Sequence, residues 1–137
     1  MSLYLAVFDD GDELDGVEIG AYSHFGAFRD AVVNSLEGGM AGSRYPTLIL
    51  HSDCDGQWTP NEAAVLEKEL EIISSRFREL PPVSLNSDWQ KQIAKTFGIR
   101  LKSLYDCFFD IDGEPLLDRL INLTKLSQSR NLPILFQ

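Results

Sequence analysis

The sequence contains only two cysteines, Cys54 and Cys107, among its 137 residues. Two cysteines cannot form the network of disulfides that holds small secreted domains together, so free thiols in a reducing compartment are expected. No stretch approaches the roughly 20 apolar residues that a membrane-spanning helix needs. The first residues also lack the basic segment and the long apolar core of a secretory signal. These absences favour a cytoplasmic protein without a membrane segment.

Basic side chains are scarce, and none occurs before Arg29. Twelve lysines and arginines stand against 21 aspartates and glutamates, giving a formal net charge of −9. This balance disfavours direct binding of nucleic acid, because lysine and arginine must neutralise the phosphates, and it favours a basic partner. Six acids precede Arg29: Asp9, Asp10, Asp12, Glu13, Asp15 and Glu18. They form either a solvated acidic loop or a surface that binds a partner.

Length and composition indicate an ordinary folded protein. A chain of 137 residues suits one domain, and 44% hydrophobic and 24% charged residues are typical of a globular protein. The sequence predicts a single domain over residues 1–137. Its fold class is α+β (or α/β), with a three- to five-stranded sheet packed with about four helices.

Four segments have the apolar, strand-forming composition of β-strands. Leu3–Phe8 predicts a buried first strand, which ends at an Asp-Asp-Gly-Asp stretch. Asp15-Gly16 predicts a turn, so that Val17–Ile19 would form a short second strand in a hairpin. Residues 46–51 predict a further buried strand, and residues 132–136 a last one.

Helical signals are strongest in the second half of the chain. Helices are predicted from residue 24 to 37 with Ser23 as the cap, from Pro60 to Leu80, between Ser87 and Gly98, and from Pro115 to Asn131. The second has a capping box, in which Thr59 and Glu62 accept each other's backbone N–H groups. Its apolar seam consists of Leu66, Leu70, Ile73, Phe77 and Leu80, and the first helix has Phe25, Phe28, Val32 and Leu36 on one face. Residues 104–111 fit either a strand or a helix.

The segment from His51 to Trp58 gathers an imidazole, a thiol and carboxylates after a predicted strand, where loops often carry function. His51 or His24 could hold Cys54 as a thiolate nucleophile, although no catalytic signature surrounds this cysteine. Zinc ligand types are also present, but a structural site would show paired ligands such as C-x-x-C. A small cytoplasmic enzyme or metal-binding protein that uses this loop is therefore the alternative function.

The two tryptophans, Trp58 and Trp89, each stand at the start of a predicted helix beside acids. Tryptophan is enriched at the energetic centre of protein interfaces, but it also fills cores. Exposed tryptophans and the apolar segment at residues 132–136 would suit an adaptor or structural subunit that oligomerises. This is a third hypothesis beside a binding inhibitor and an enzyme.

Five segments carry a resemblance that runs nearly from end to end of the chain. They are Leu3–Phe8 with its acid-rich Asp-Gly turn, Gly42–Leu48, His51–Trp58, Leu85–Trp89 and Ser103–Asp110. Together they resemble a bacterial polymorphic-toxin immunity family, immunity protein 70. The resemblance implies a non-enzymatic cytoplasmic protein that binds and silences a cognate secreted toxin domain. It supplies no catalytic residues to carry over.

The partner expected from this resemblance is the cognate toxin domain, and neither a membrane nor direct contact with nucleic acid is expected. Many such toxins act on nucleic acids through basic clefts, which an acidic protein could occupy. No catalytic residue, cofactor or metal ligand is predicted. The candidate contact residues are Asp9, Asp10, Asp12, Glu13, Asp15, Asp53, Asp55, Trp58, Asp110 and Asp112.

Overall fold

An antiparallel hairpin of β1 (Ser2–Asp9) and β2 (Asp12–Ala21) begins the chain in the computed structural model, which describes residues 2–52, 55–85 and 87–137. Its two-residue turn is Asp10-Gly11, with φ values of 50° and 85°. A turn with positive φ at both positions matches the twist of the strands, and Asp-Gly is a favoured sequence for it. The turn predicted at Asp15-Gly16 is wrong, because both residues lie inside β2.

Four antiparallel strands form the sheet, in the order β2-β1-β4-β3. The C-terminal strand β4 (Ile134–Phe136) pairs with β1 on one side and with the short edge strand β3 (Gln57–Trp58) on the other. The predicted C-terminal strand and the α+β class with a three- to five-stranded sheet are therefore confirmed. Val17–Ile19 is a strand as predicted, but it is part of a longer one.

The described residues form five α-helices beside the sheet. They are α1 (Tyr22–Leu36), α2 (Pro46–Ile49), α3 (Pro60–Phe77), α4 (Asp88–Phe97) and α5 (Leu116–Arg130). The capping box of α3 is present, with Glu62 N donating to Thr59 Oγ1 at 3.1 Å and Thr59 N donating to Glu62 Oε1 at 3.0 Å. The predicted cap Ser23 is wrong, since α1 begins one residue earlier and Ala21 precedes it without a side-chain cap. Residues Leu104–Cys107 form a 3-10 turn.

The strand predicted at residues 46–51 is wrong, because Pro46–Ile49 forms the helical turn α2. An apolar run this short does not distinguish a buried strand from a buried helical turn. A side chain distant in the sequence favours the helical turn over the strand. The carboxylate of Glu69 in α3 accepts from the backbone N–H groups of Thr47 at 3.2 Å and Leu48 at 3.0 Å. The first N–H groups of a helix have no partner within it, so this carboxylate stabilises the helical form.

The helices α1, α3 and α5 cover one face of the sheet. Alternate side chains of β1 point into this layer, and Leu3, Leu5 and Val7 are each fully buried. The predicted inward faces of α1 and α3 are confirmed, although Leu80 is only partly buried. The helices contribute buried apolar side chains to the core, among them Phe25, Phe28 and Val32 of α1, Leu66, Leu70, Ile73 and Phe77 of α3, and Leu116, Leu117, Leu120 and Leu123 of α5.

Candidate functional site

The acids of the N-terminal segment lie on the hairpin rather than in a loop. Asp10 and Asp12 at the turn are exposed, and neither forms an ion pair with any residue that the structure describes. Asp9 is half-buried, and its carboxylate lies 2.9 Å from the guanidinium of Arg130 at the end of α5. The turn therefore presents two uncompensated charges, whereas the charge of Asp9 is balanced within the fold.

Glu13 is held by the ring of Tyr4 across the hairpin. The Tyr4 hydroxyl donates to Glu13 Oε1 at 2.7 Å. Burial, this hydrogen bond and the nearby carboxylates of Glu13, Asp15 and Glu18 raise the pKa of Tyr4 to about 12. Tyr4 therefore stays a neutral donor at physiological pH, and the Glu13 carboxylate has a fixed position on the surface.

Arg119 of α5 joins two acids that are far apart in the sequence. Its guanidinium lies 3.6 Å from the carboxylate of Asp15 in β2 and 3.3 Å from that of Asp110. It also donates to the backbone oxygen of Gly16. Asp15 and Asp110, both candidate contact residues, thus converge on a single cation that holds α5 against β2.

Asp110 is only 1% exposed and organises the turn that follows it. Its carboxylate accepts from the backbone N–H groups of Asp112 at 2.9 Å and Glu114 at 3.0 Å. Burial raises the pKa of Asp110, while these hydrogen bonds and Arg119 act in the opposite direction. The turn docks on the edge of β2, where Ile111 N donates to the backbone oxygen of Glu18 at 3.2 Å. Asp110 is therefore a structural residue, whereas the candidate Asp112 is exposed.

His51 has a structural role beside β3 and β4, at the edge of the sheet opposite β2. Its ring stacks on Phe136 with a centroid distance of 4.4 Å and packs against Trp58 at 5.0 Å. Its two ring nitrogens lie 2.8 Å from the backbone oxygens of Ser52 and Gln57 respectively. Both nitrogens thus face backbone oxygens, which leaves the ring poorly placed to activate a thiol. The candidates Asp53 and Cys54 lie outside the described residues, and Asp55 is exposed.

Trp58 is 1% exposed and belongs to the core. Its indole N–H donates to the backbone oxygen of Thr47 at 3.0 Å, and its ring packs edge-on against Phe136 at 4.8 Å. The interpretation of Trp58 as a partner contact conflicts with this burial, because the indole fills the space between β3 and α2. The same objection applies to Asp110.

Trp89 is the half-buried tryptophan, and it anchors α4. Its ring stacks on His24 of α1 with a centroid distance of 4.6 Å and an interplanar angle of 16°. Burial lowers the pKa of His24, so this contact is made by a neutral imidazole at physiological pH. No side chain of α4 is buried. The stack is thus the main feature that fixes the helix to α1.

Cys107 is a core residue of the 3-10 turn, 1% exposed. Its Sγ lies 3.4 Å from both the backbone nitrogen and the backbone oxygen of Val83. Burial raises the pKa of the thiol, which therefore remains protonated and unreactive. Among the described residues, no group of three or more histidines, cysteines, aspartates or glutamates is arranged to hold a metal ion. The described residues, which do not include Asp53 and Cys54, give no support to the enzymatic or metal-binding alternative.

Replacing Cys107 by alanine is expected to lower the free energy of unfolding by about 1–3 kcal/mol, because a buried thiol behaves as a small apolar group. In the unaltered protein the thiol should react with a thiol reagent only as fast as the fold opens. Urea unfolding and labelling kinetics measure the two effects. Rapid labelling of Cys107 in the Cys54→Ala variant, under conditions where that protein is folded, would contradict this structural role.

None of the helices in the described part of the chain is both long and apolar enough to cross a membrane. The described residues define a small α+β protein whose sheet carries acids and whose histidines and Cys107 are engaged in packing. The family model of Immunity protein 70 matches residues 3–136, essentially the whole chain, so the chain belongs to this family. The resemblance is thereby confirmed, and family membership suggests a toxin-neutralising role. No curated protein and no solved structure matches the chain.

Proposed function

We propose that this protein binds a cognate toxin domain in the bacterial cytoplasm and neutralises it without catalysing a reaction. The observation that carries the proposal is membership of the immunity family over residues 3–136. The toxin would belong to a polymorphic toxin system, and binding would use an acidic surface of this chain. The packing of His51 and Cys107 supports a binding role, since neither group is presented as a nucleophile or a base.

The distribution of charge supports the acidic surface. None of the four strands contains a lysine or an arginine, whereas β1 and β2 contain Asp9, Asp12, Glu13, Asp15 and Glu18. All basic residues stand on the helices or in the connecting segments. A charge of one sign on one side of a protein attracts an oppositely charged partner over a distance and orients it.

The exposed acids make unequal contributions to this field. Arg130 and Arg119 compensate Asp9 and Asp15, so these two carboxylates are poorly suited to attract a partner. Asp10 and Asp12 are exposed at the tip of the hairpin, and we assign the long-range attraction mainly to them. Asp55 and Asp112 are also exposed and remain candidate contacts at other positions on the surface.

Replacing Asp10 and Asp12 by asparagine is expected to slow association with the toxin domain by roughly 3- to 10-fold at low salt, with little effect on dissociation. Salt screens such charges over about 8–10 Å, so the difference should shrink at physiological ionic strength. Asparagine tolerates the positive φ of position 10, so the turn is preserved. Stopped-flow binding at two salt concentrations measures the effect.

The matched control removes two negative charges at a different place on the surface. Asp30→Asn with Glu71→Gln neutralises two exposed acids on α1 and α3, away from the hairpin. The net charge of the two double variants is identical, so a difference between them reports position. If both variants associate equally fast, the hairpin has no special part in attracting the toxin.

The function itself is tested with the toxin domain encoded beside the gene of this chain. Co-expression of this protein should restore growth to cells that produce the toxin domain. The purified proteins should form a complex in which the toxin is inactive. Toxicity that persists despite folded, abundant immunity protein would contradict the proposal.

A further inference from the structure

One face of the sheet carries apolar side chains that none of the described helices covers. Tyr4 and Phe8 alternate with the inward side chains of β1, and Leu135 of β4 pairs with Ala6 between them. In the described residues, Tyr4, Phe8 and Leu135 are absent from the hydrophobic core and from the side chains packed on it. The three are half-buried, and Ala6 between them is fully buried. We call this surface the open face.

The open face is held in a fixed shape. The ring of Tyr4 lies across Gly16, where a Cβ atom would come within 2.0 Å of the Tyr4 hydroxyl oxygen. Gly16 is therefore needed for the ring to lie flat on the strands. The same hydroxyl is tied to Glu13 at 2.7 Å. A rigid aromatic group loses little conformational freedom on binding, which is the property of residues that anchor an interface.

Acids border the apolar centre of the open face. Glu18 is paired with Tyr4 and Glu13 with Phe8 across the hairpin, so both acids lie on the same side of the sheet as these rings. Asp10 and Asp12 lie beyond this border, at the turn of the hairpin. An apolar centre within a polar rim is the usual composition of a protein interface. The rim here has a single sign, which requires a basic rim on the partner.

We infer that the open face is the docking face for the toxin domain, and that Tyr4, Phe8 and Leu135 form its apolar centre. This inference rests on the proposed function. The complementary surface on the toxin is apolar at its centre and carries lysine or arginine around it. A second copy of this chain fits poorly, because two open faces would bring Glu13 and Glu18 against their like charges.

Truncation of the apolar centre provides the first test. Phe8→Ala and Leu135→Ala each remove half-buried apolar atoms outside the core, and each is expected to weaken binding of the neighbouring gene's toxin domain at least tenfold. The loss should appear mainly as faster dissociation. Ile72→Ala is the matched control, since Ile72 is 53% exposed on α3, which packs on the other face of the sheet.

A second variant, which adds a charge and truncates no apolar side chain, tests the same inference if the truncations disturb the hairpin. Gln57 pairs with Leu135 and is exposed on the open face, so Gln57→Lys places a cation there without removing core atoms. Repulsion from the basic toxin rim should weaken binding at least tenfold. Ser75→Lys on α3 adds the same charge at an exposed position on the helical side and should leave affinity unchanged.

The outcomes separate this inference from the proposed function. If the unaltered protein binds the toxin and the open-face variants, shown to be folded by circular dichroism, bind it equally well, the inference is wrong and the proposed function stands. If the unaltered protein does not bind, both are wrong. A dimer in sedimentation that Leu135→Ala dissociates would also overturn the inference, because the face would then serve a second copy.

Discussion

Replacing Trp58 by alanine is expected to lower the free energy of unfolding by about 3–5 kcal/mol, the range measured when large buried aromatic side chains are truncated. The indole is 1% exposed, packs against Phe136 and His51, and loses its hydrogen bond to Thr47 when it is removed. Its removal leaves a cavity and an unpaired backbone oxygen between β3 and α2. Urea unfolding followed by circular dichroism measures the change.

The second tryptophan supplies the comparison. Trp89 is half-buried and packs on His24 at one side of the molecule, so Trp89→Ala should cost only about 1–2 kcal/mol. We also expect a folded Trp58→Ala protein to retain its affinity for the toxin at low temperature. A Trp58→Ala protein of unchanged stability that has lost binding would restore the interpretation of Trp58 as an interface anchor.

Glu37→Ala is expected to lower the free energy of unfolding by about 2–4 kcal/mol at pH 7, because buried backbone donors lose a charged acceptor. Glu37 is 4% exposed and ends α1. Its carboxylate accepts from the backbone N–H groups of Gly42 at 3.0 Å and of Arg44 and Tyr45 at 2.9 Å each. Chemical unfolding at pH 7 measures the cost.

The same carboxylate predicts a dependence on pH. Burial raises the pKa of Glu37, but the hydrogen bonds from Arg44, Tyr45 and Gly42 outweigh it, so the folded-state pKa lies below the ordinary value. A depressed pKa contributes stability that is complete above the unfolded-state value of about 4.3 and is lost as the pH falls through the folded-state value. Glu37→Gln should therefore destabilise at pH 7 and show a flatter loss of stability below about pH 4.5 than the unaltered protein.

The exposed Glu71 is the control for this titration, since Glu71→Gln removes the same type of group without touching the segment after α1. Its stability curve should follow that of the unaltered protein. If Glu37→Gln and Glu71→Gln gave the same curve, the Glu37 carboxylate would not be holding residues 42–45. The ordered conformation of residues 42–45 would then need another explanation.

The candidate site was visible in the sequence only in part. The excess of acids before Arg29 identified the exposed Asp10 and Asp12, because charge is a property of composition. No local pattern indicated that Arg130 and Arg119 compensate Asp9 and Asp15, since these arginines stand more than a hundred residues later. Tyr4 and Phe8 were missed because β1 is apolar on both faces, and Leu135 because β4 is apolar throughout, which removes the alternation that normally marks an exposed face.

The sequence by itself determined the start of α3 and α4 and the end of α5. Thr59 with Glu62, Ser87 with Gln90, and Asn131 in the left-handed conformation act within one turn of the chain, so their effects can be recognised locally. Hydrophobic spacing likewise identified the inward faces of α1 and α3. The sequence also determined the acidic balance, and the family resemblance extended over nearly the whole chain.

Only the tertiary structure decided the form of residues 46–49 and the arrangement of the acids. Glu69 provides acceptors for a helical turn where the apolar run alone would equally suit a strand. Arg119 brings Asp110 beside Asp15, and the C-terminal strand places Leu135 beside Ala6 to complete the open face. Apart from the pair of Arg119 and Asp110, these contacts join residues 21 to 129 positions apart. Patterns of two to four residues report local conformation, and the choice among distant partners depends on how the whole core packs.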